Sequence, residues 1–190
     1  DVPVLVGTTS NEWGASARGQ VEDFPGQVRS GYGEFADRVL AAYPYATPEQ
    51  ATQSARWLAN ESGMEVGAYT WARLHAAKSQ NPVWYYWFNN APEGSGHGSE
   101  VGLVFGNEDV RPGRQRWSEH NRALSRQLQS YWVNFAKSGN PNGAGLPEWP
   151  RFTPDQPSVM ALGLETKVID VPNRNRLDVI DRYLAWRRGE

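Results

Sequence analysis

The sequence predicts an α/β fold, a central and mostly parallel sheet flanked by helices. Val2-Pro3-Val4-Leu5-Val6-Gly7 and Val83-Trp84-Tyr85-Tyr86-Trp87-Phe88 are short apolar runs of the kind buried on both faces of a sheet. Between and after them, apolar residues recur at three- and four-residue spacing, the pattern of helices with one inward face. The two patterns share one chain without repeats, which points to helices packed on a sheet rather than to a bundle or a sandwich.

Taken in order, Val2 to Gly7 is a strand closed by its glycine, and Thr8 to Gly19 is a loop carrying Glu12. Tyr32 to Tyr43 reads as a helix with Phe35, Val39 and Leu40 on one side. Thr47-Pro48-Glu49-Gln50 starts another, running to about Asn60: Thr47 caps it, Pro48 fits the first turn, and Gln50 completes a capping box. Gly63 separates it from a helix that ends at Lys78, with Met64, Trp71, Leu74 and Ala77 inward. Val83 to Phe88, dominated by aromatics, is the clearest strand. The glycine-rich run Gly94 to Glu100 follows and holds His97, and Asn107 to Arg116 is a polar loop. A long helix from Ser118 to Lys137 has the stripe Leu124, Leu128, Tyr131, Trp132 and Phe135, and Gly139 ends it. Asn140-Pro141-Asn142-Gly143 is a turn. Val159 to Leu164 and Lys167 to Val171 read as an edge hairpin, and Asn173 caps a last helix with Leu177, Ile180 and Leu184 inward.

Composition excludes several functions. A net charge of -2, with no basic tract, argues against nucleic acid as the main partner. With 0 Cys, disulfides, thiol catalysis and thiolate metal sites are excluded. The 3 His are dispersed without paired spacing, which argues against a metal centre. No apolar stretch approaches the ~20 residues of a membrane-spanning helix. The 9 Trp and 8 Tyr suit a large core together with an aromatic-lined pocket or interface.

His97 stands out. Its glycines let the backbone turn sharply around it, and a ring on a loop just past a strand is well placed for proton transfer. Glu12 is the candidate acid upstream. On residue patterns alone, a solvated loop histidine and a carboxylate capping backbone N–H groups remain alternatives. No Gly-x-Ser-x-Gly occurs, and Ser95 and Ser99 flank the histidine too closely to be aimed at it. Glu100 reads as a local structural residue, His75 as packing, His120 as a solvated first-turn residue, and Glu108, Asp109, Arg111, Arg114 and Arg116 as solvated surface.

Three segments together resemble the type-B carboxylesterases. Val2 to Glu12 is similar to the segment that carries their catalytic glutamate. Gly96-His97-Gly98-Ser99-Glu100 with Val104-Phe105-Gly106 is similar to their histidine loop. Tyr131 to Asn142, followed by Trp149-Pro150, is similar to their C-terminal helix and turn. The resemblance implies that residues 1–190 are the C-terminal portion of an α/β-hydrolase domain, incomplete without the N-terminal portion. It further implies ester hydrolysis in which Glu12 orients His97 as general base. The nucleophilic serine and oxyanion hole would come from that N-terminal portion, the implied partner, and no cofactor is implied. The chain order, acid before histidine, fits Ser-Glu-His, and the substrate would be a small-molecule carboxylic ester. Trp13 stands where the family usually has glycine, so this loop differs. The alternative is a cholinesterase-like adhesion domain that keeps the fold without the chemistry; retention of both Glu12 and His97 disfavours it.

Overall fold

The computed structural model describes residues 1–12, 22–91, 95–108 and 116–189. Along the chain, the described elements are β1 (Val4–Thr9), α1 (Phe24–Tyr32), a 3-10 turn (Gly33–Phe35), α2 (Ala36–Ala42), α3 (Pro48–Asn60), a π turn (Glu61–Glu65), α4 (Val66–Lys78), β2 (Val83–Asn89), α5 (Ser99–Val104), α6 (Glu119–Ser138), β3 (Ser158–Gly163), β4 (Lys167–Asp170) and α7 (Arg174–Arg188). They fall into two compact units, Asp1–Ser10 with Trp71–Asp170, and Asn11–Thr70 with Val171–Glu190.

The first unit is built on a sheet of order β1-β2-β3-β4. β1 and β3 both run parallel to β2, and β4 closes the sheet antiparallel to β3. The sheet is thus mostly parallel, with the expected hairpin at its margin. β1 does not stop at Gly7. Thr8 and Thr9 are β-branched and buried, and they extend the pairing to Trp87 and Phe88.

β3 pairs only with Tyr86 to Asn89, which leaves the first half of β2 uncovered by it. Buried carbonyls there need other donors. The backbone N–H of Phe152 donates to the Val83 carbonyl at 2.8 Å, and the Trp149 indole donates to the Tyr85 carbonyl at 3.2 Å. Trp149 is 1% exposed and meets Tyr131 edge-on at 5.2 Å between ring centroids. The expected turn at Asn140 to Gly143 explains its placement. The Asn142 side chain accepts from the Trp149 N–H at 2.7 Å and donates to the Trp149 carbonyl at 2.9 Å, as a neighbouring strand would.

α6 forms where expected. The Ser118 hydroxyl caps it by accepting from the Asn121 N–H at 3.0 Å, and Gly139 (φ 70°) ends it. Leu124, Leu128 and Tyr131 pack with Trp84, Phe88 and Met160. α5 was not anticipated; the Ser125 hydroxyl donates to the Leu103 carbonyl at 2.7 Å and ties it to α6.

In the second unit the expected helix Tyr32 to Tyr43 is instead α1, the 3-10 turn and α2. Gly33 takes φ 52° and ends α1, whose own start is Asp23, accepting from the Gly26 N–H at 2.8 Å. α3 begins as expected on Thr47, which accepts from the Gln50 N–H at 3.3 Å, but the Gln50 amide accepts from the Ala46 N–H rather than completing the box on Thr47. Gly63 does not interrupt the helix. The π turn carries the chain continuously into α4, of which residues 66–70 belong to the second unit and 71–78 to the first. The expected inward residues Met64 (39% exposed), Trp71 (55%) and Ala77 lie outward, while Val66, Tyr69 and Ala72 are buried.

The π turn holds two buried carboxylates, Glu61 and Glu65. Arg176 from the first turn of α7 donates to Glu61 through Nε (2.9 Å) and a terminal nitrogen (2.7 Å), and its guanidinium lies 4.5 Å from the Trp57 ring centroid. Tyr43 also donates to Glu61. Asn173 precedes α7 as expected but makes no side-chain cap. Its backbone is left-handed (φ 51°), and its amide donates to Glu61 at 2.6 Å and to Glu65 at 3.3 Å. Asn60 donates to Glu65 at 3.2 Å.

Replacement of Trp149 by Ala is expected to cost about 3–5 kcal/mol of stability by leaving a cavity. Asn142→Ala is expected to cost about 1–3 kcal/mol by stranding two backbone groups. Urea denaturation of the intact protein measures both, and two unchanged midpoints would contradict this account of the β2 flank.

Glu65 supplies a pH signature. Burial, then the neighbouring Glu61 charge, pushes its carboxyl up to about 7. The folded chain therefore holds a proton that the unfolded chain releases near the ordinary carboxylate range. This contribution is complete below that range and is lost as pH rises through about 7. Between pH 5 and pH 8 the wild type should lose on the order of 2 kcal/mol relative to Glu65→Gln, which keeps the neutral shape. Denaturation midpoints at the two pH values test this, and parallel pH profiles for the two proteins would refute it.

Candidate active site

β1 and β2 are parallel, so both release the chain at the same edge of the sheet. Ser10 follows β1 and donates its N–H to the Phe88 carbonyl at 2.8 Å. Glu12 lies three residues past Thr9, is buried, and belongs to the second unit. Trp13 and the rest of that loop lie outside the described residues.

His97 lies eight residues past Asn89, in the first unit, and is exposed. Gly98 follows with φ 71°, a conformation that costs a side chain energy, and α5 begins at the next residue. The turn is closed by the Ser99 N–H donating to the Gly96 carbonyl at 3.0 Å. Ser95 is buried; its hydroxyl accepts from the Asn90 N–H at 2.8 Å and donates to the Asn89 side-chain oxygen at 3.3 Å. Ser95 is thus engaged in holding the loop, and Ser99 is exposed at the start of α5. Glu100 accepts from the Tyr86 hydroxyl at 3.4 Å, in keeping with a local structural part.

The paired asparagines that end β2 carry a polar network that the sequence reading missed. Asn89 accepts from the Ser10 hydroxyl at 3.1 Å as well as from Ser95. Asn90 is 2% exposed and donates to the Asn121 side chain at 2.7 Å. Its oxygen accepts from Nε2 of His120 at 3.1 Å. His120 is therefore not a freely solvated first-turn residue; it joins α6 to the end of β2. The available signal was Asn-Asn, residues disfavoured in strands, placed directly after an aromatic strand.

In the polar loop, Glu108 pairs with Arg122 at 2.9 Å and accepts from the Trp117 N–H at 3.0 Å; residues 109–115 lie outside the described residues. The Arg122 guanidinium holds the half-buried Glu108 carboxyl below its ordinary range. A cleft of 230 Å³ in the second unit is lined by residues including Phe24, Val28, Tyr32, Leu58 and Ser62, and neither Glu12 nor His97 contributes to it. Among the described residues, no group of three His, Asp or Glu side chains is arranged to hold a metal ion, and no helix is long and apolar enough to cross a membrane.

Comparison with known proteins agrees with this topology. Residues 1–180 match the model of the carboxylesterase family. Carboxylesterase 4A of Bos taurus is 40% identical over 96 residues, covering 46% of this chain and 17% of that protein. Cocaine esterase of Homo sapiens is 34% identical over 130 residues, covering 61% of this chain and 22% of that protein. The chain thus spans about a fifth of the length of these relatives. Among solved structures, a thermophilic PNB esterase superposes with a TM-score of 0.73 at 24% identity, over 94% of this chain and 38% of the esterase. A second PNB esterase gives a TM-score of 0.68 at 23% identity, with the same coverage. The fold is accordingly part of an α/β-hydrolase fold, and with the family model matched over nearly its whole length, this chain belongs to the carboxylesterase family.

Proposed function

We propose that this chain contributes the acid and the general base of a carboxylic ester hydrolase, Glu12 and His97, to a site whose serine nucleophile and oxyanion hole lie on polypeptide outside these 190 residues. The observation that carries the reading is the pairing of β1 with β2. Parallel neighbours release the chain at the same end of a sheet, where open α/β sheets place their sites, and in the sequence Glu12 follows β1 and His97 follows β2, which supports the reading. The absence of Gly-x-Ser-x-Gly from the sequence supports an external serine.

In this mechanism the serine Oγ attacks the ester carbonyl while an imidazole nitrogen of His97 takes its proton. The imidazolium is stabilised by the Glu12 carboxylate and then protonates the leaving alkoxide. Water repeats the cycle to release the acid, with His97 again as base. The chain taken alone is inactive on this reading, and the N-terminal portion of the enzyme is its partner. No cofactor enters.

In the intact protein, His97→Ala should lower turnover of a para-nitrophenyl ester by about three or more orders of magnitude, with His75→Ala close to wild type. Retention of more than about a tenth of wild-type turnover would remove His97 from the mechanism. Glu12→Gln keeps the shape but removes the charge and presents an N–H where an acceptor is needed. It should lower kcat by roughly two to four orders of magnitude with a smaller change in KM. If Glu12→Gln is unimpaired while Glu100→Gln loses activity, the acid is Glu100 instead.

A further inference from the structure

We propose that Asn89 is a positioning residue for the esterase site, a single amide oxygen that clasps the two segments carrying Glu12 and His97. The inference rests on the catalytic reading above and goes beyond it, because Asn89 lies outside the sequence segments that single out Glu12 and His97.

The geometry is specific. Asn89 is the last residue of β2. Its side-chain oxygen accepts from the Ser10 hydroxyl at 3.1 Å and from the Ser95 hydroxyl at 3.3 Å. Ser10 precedes Glu12 by two residues, and Ser95 precedes His97 by two. A carbonyl-type oxygen has two lone pairs, so one asparagine can serve both hydroxyls at once. Leu or Val at this position would keep the strand but release both arms.

The clasp has a fixed base. Asn89 pairs with Gly163 of β3, and a Cβ at 163 would lie 1.9 Å from the Asn89 carbonyl oxygen. Only a residue without a side chain lets β3 approach so closely, so the Asn89 backbone is held by its neighbour. The Ser10 N–H bonded to the Phe88 carbonyl, and the Asn90 N–H bonded to the Ser95 hydroxyl, pin each arm a second time. Acid–base transfer is sensitive to displacements of about 1 Å, so an anchor two residues from each group acts on turnover rather than on substrate affinity.

The experiment compares Asn89→Ala and Asn89→Asp with wild type in the intact protein, using a para-nitrophenyl ester. Asn89→Ala should lower kcat about ten- to a hundredfold with KM within about threefold, the split expected when positioning of the reacting groups is lost and substrate binding is kept. Asn89→Asp keeps an oxygen acceptor and should recover most of kcat. Ser10→Ala, which removes one arm and leaves the amide in place, should lose at least threefold in kcat, and serves alone if Asn89→Ala does not fold. Wild-type kcat in the folded variants, with His97→Ala inactive, would overturn the clasp and leave the esterase reading intact. An active His97→Ala would instead overturn the esterase reading.

Discussion

The first unit depends on satisfying the backbone of β2. Val83, Trp84, Tyr85 and Phe88 are buried, so the peptide groups between them have no recourse to water and each needs a protein partner. β1 meets the need along its length, but β3 reaches only the second half. The remaining carbonyls draw in the segment around Trp149 and Phe152, which has no regular structure yet is almost wholly enclosed at both residues. The irregular stretch is therefore as determined as a strand, because its geometry is set by the acceptors it must reach. The same pairing sends two loops to one edge, and polar side chains collect there: Ser10, Asn89, Asn90 and Ser95 bond to one another and to the chain leaving the sheet.

The second unit is joined by different means. Its π turn places two carboxylates in the interior against one guanidinium, two amides and a phenol. Removing charges from water is expensive, and such a group is stable only in the arrangement that pairs them. The cluster fixes the start of α7, because Asn173 and Arg176 must both arrive at the turn for Glu61 to be paired. Burial and the Glu61 charge also push the Tyr43 phenol up, which keeps it a donor to Glu61.

Much of this was legible in the sequence, for local reasons. The Thr47-Pro48 start of α3, the Ser118 start and Gly139 end of α6, and the aromatic run of β2 are signals carried by adjacent residues. The errors came from features with no local signal. The π turn inserts an extra residue per turn and shifts the phase of the apolar stripe, so Met64 and Trp71 face outward while Val66, Tyr69 and Ala72 are buried. Asn173 and His120 read as end-of-helix residues, yet their partners lie 112 and 30 positions away. Glu12 and His97 are singled out in the sequence by the order of the motifs that surround them, which is a reading of the chain and not of its packing. The Asn89 network was not, because a hydrogen bond between strand ends leaves no periodic trace.

The two margins of the sheet are unlike. β4 is short, antiparallel and mostly exposed, with Lys167 and Asp170 at its ends. Those charges make it a poor template for another strand. β1 is longer and rich in valine and leucine, and among the described residues β2 is its one strand neighbour. The sheet is consequently a one-ended template: it can be extended alongside β1 and is terminated at β4, so lateral association has a single direction and stops after one addition if the incoming strand brings a guarded edge of its own.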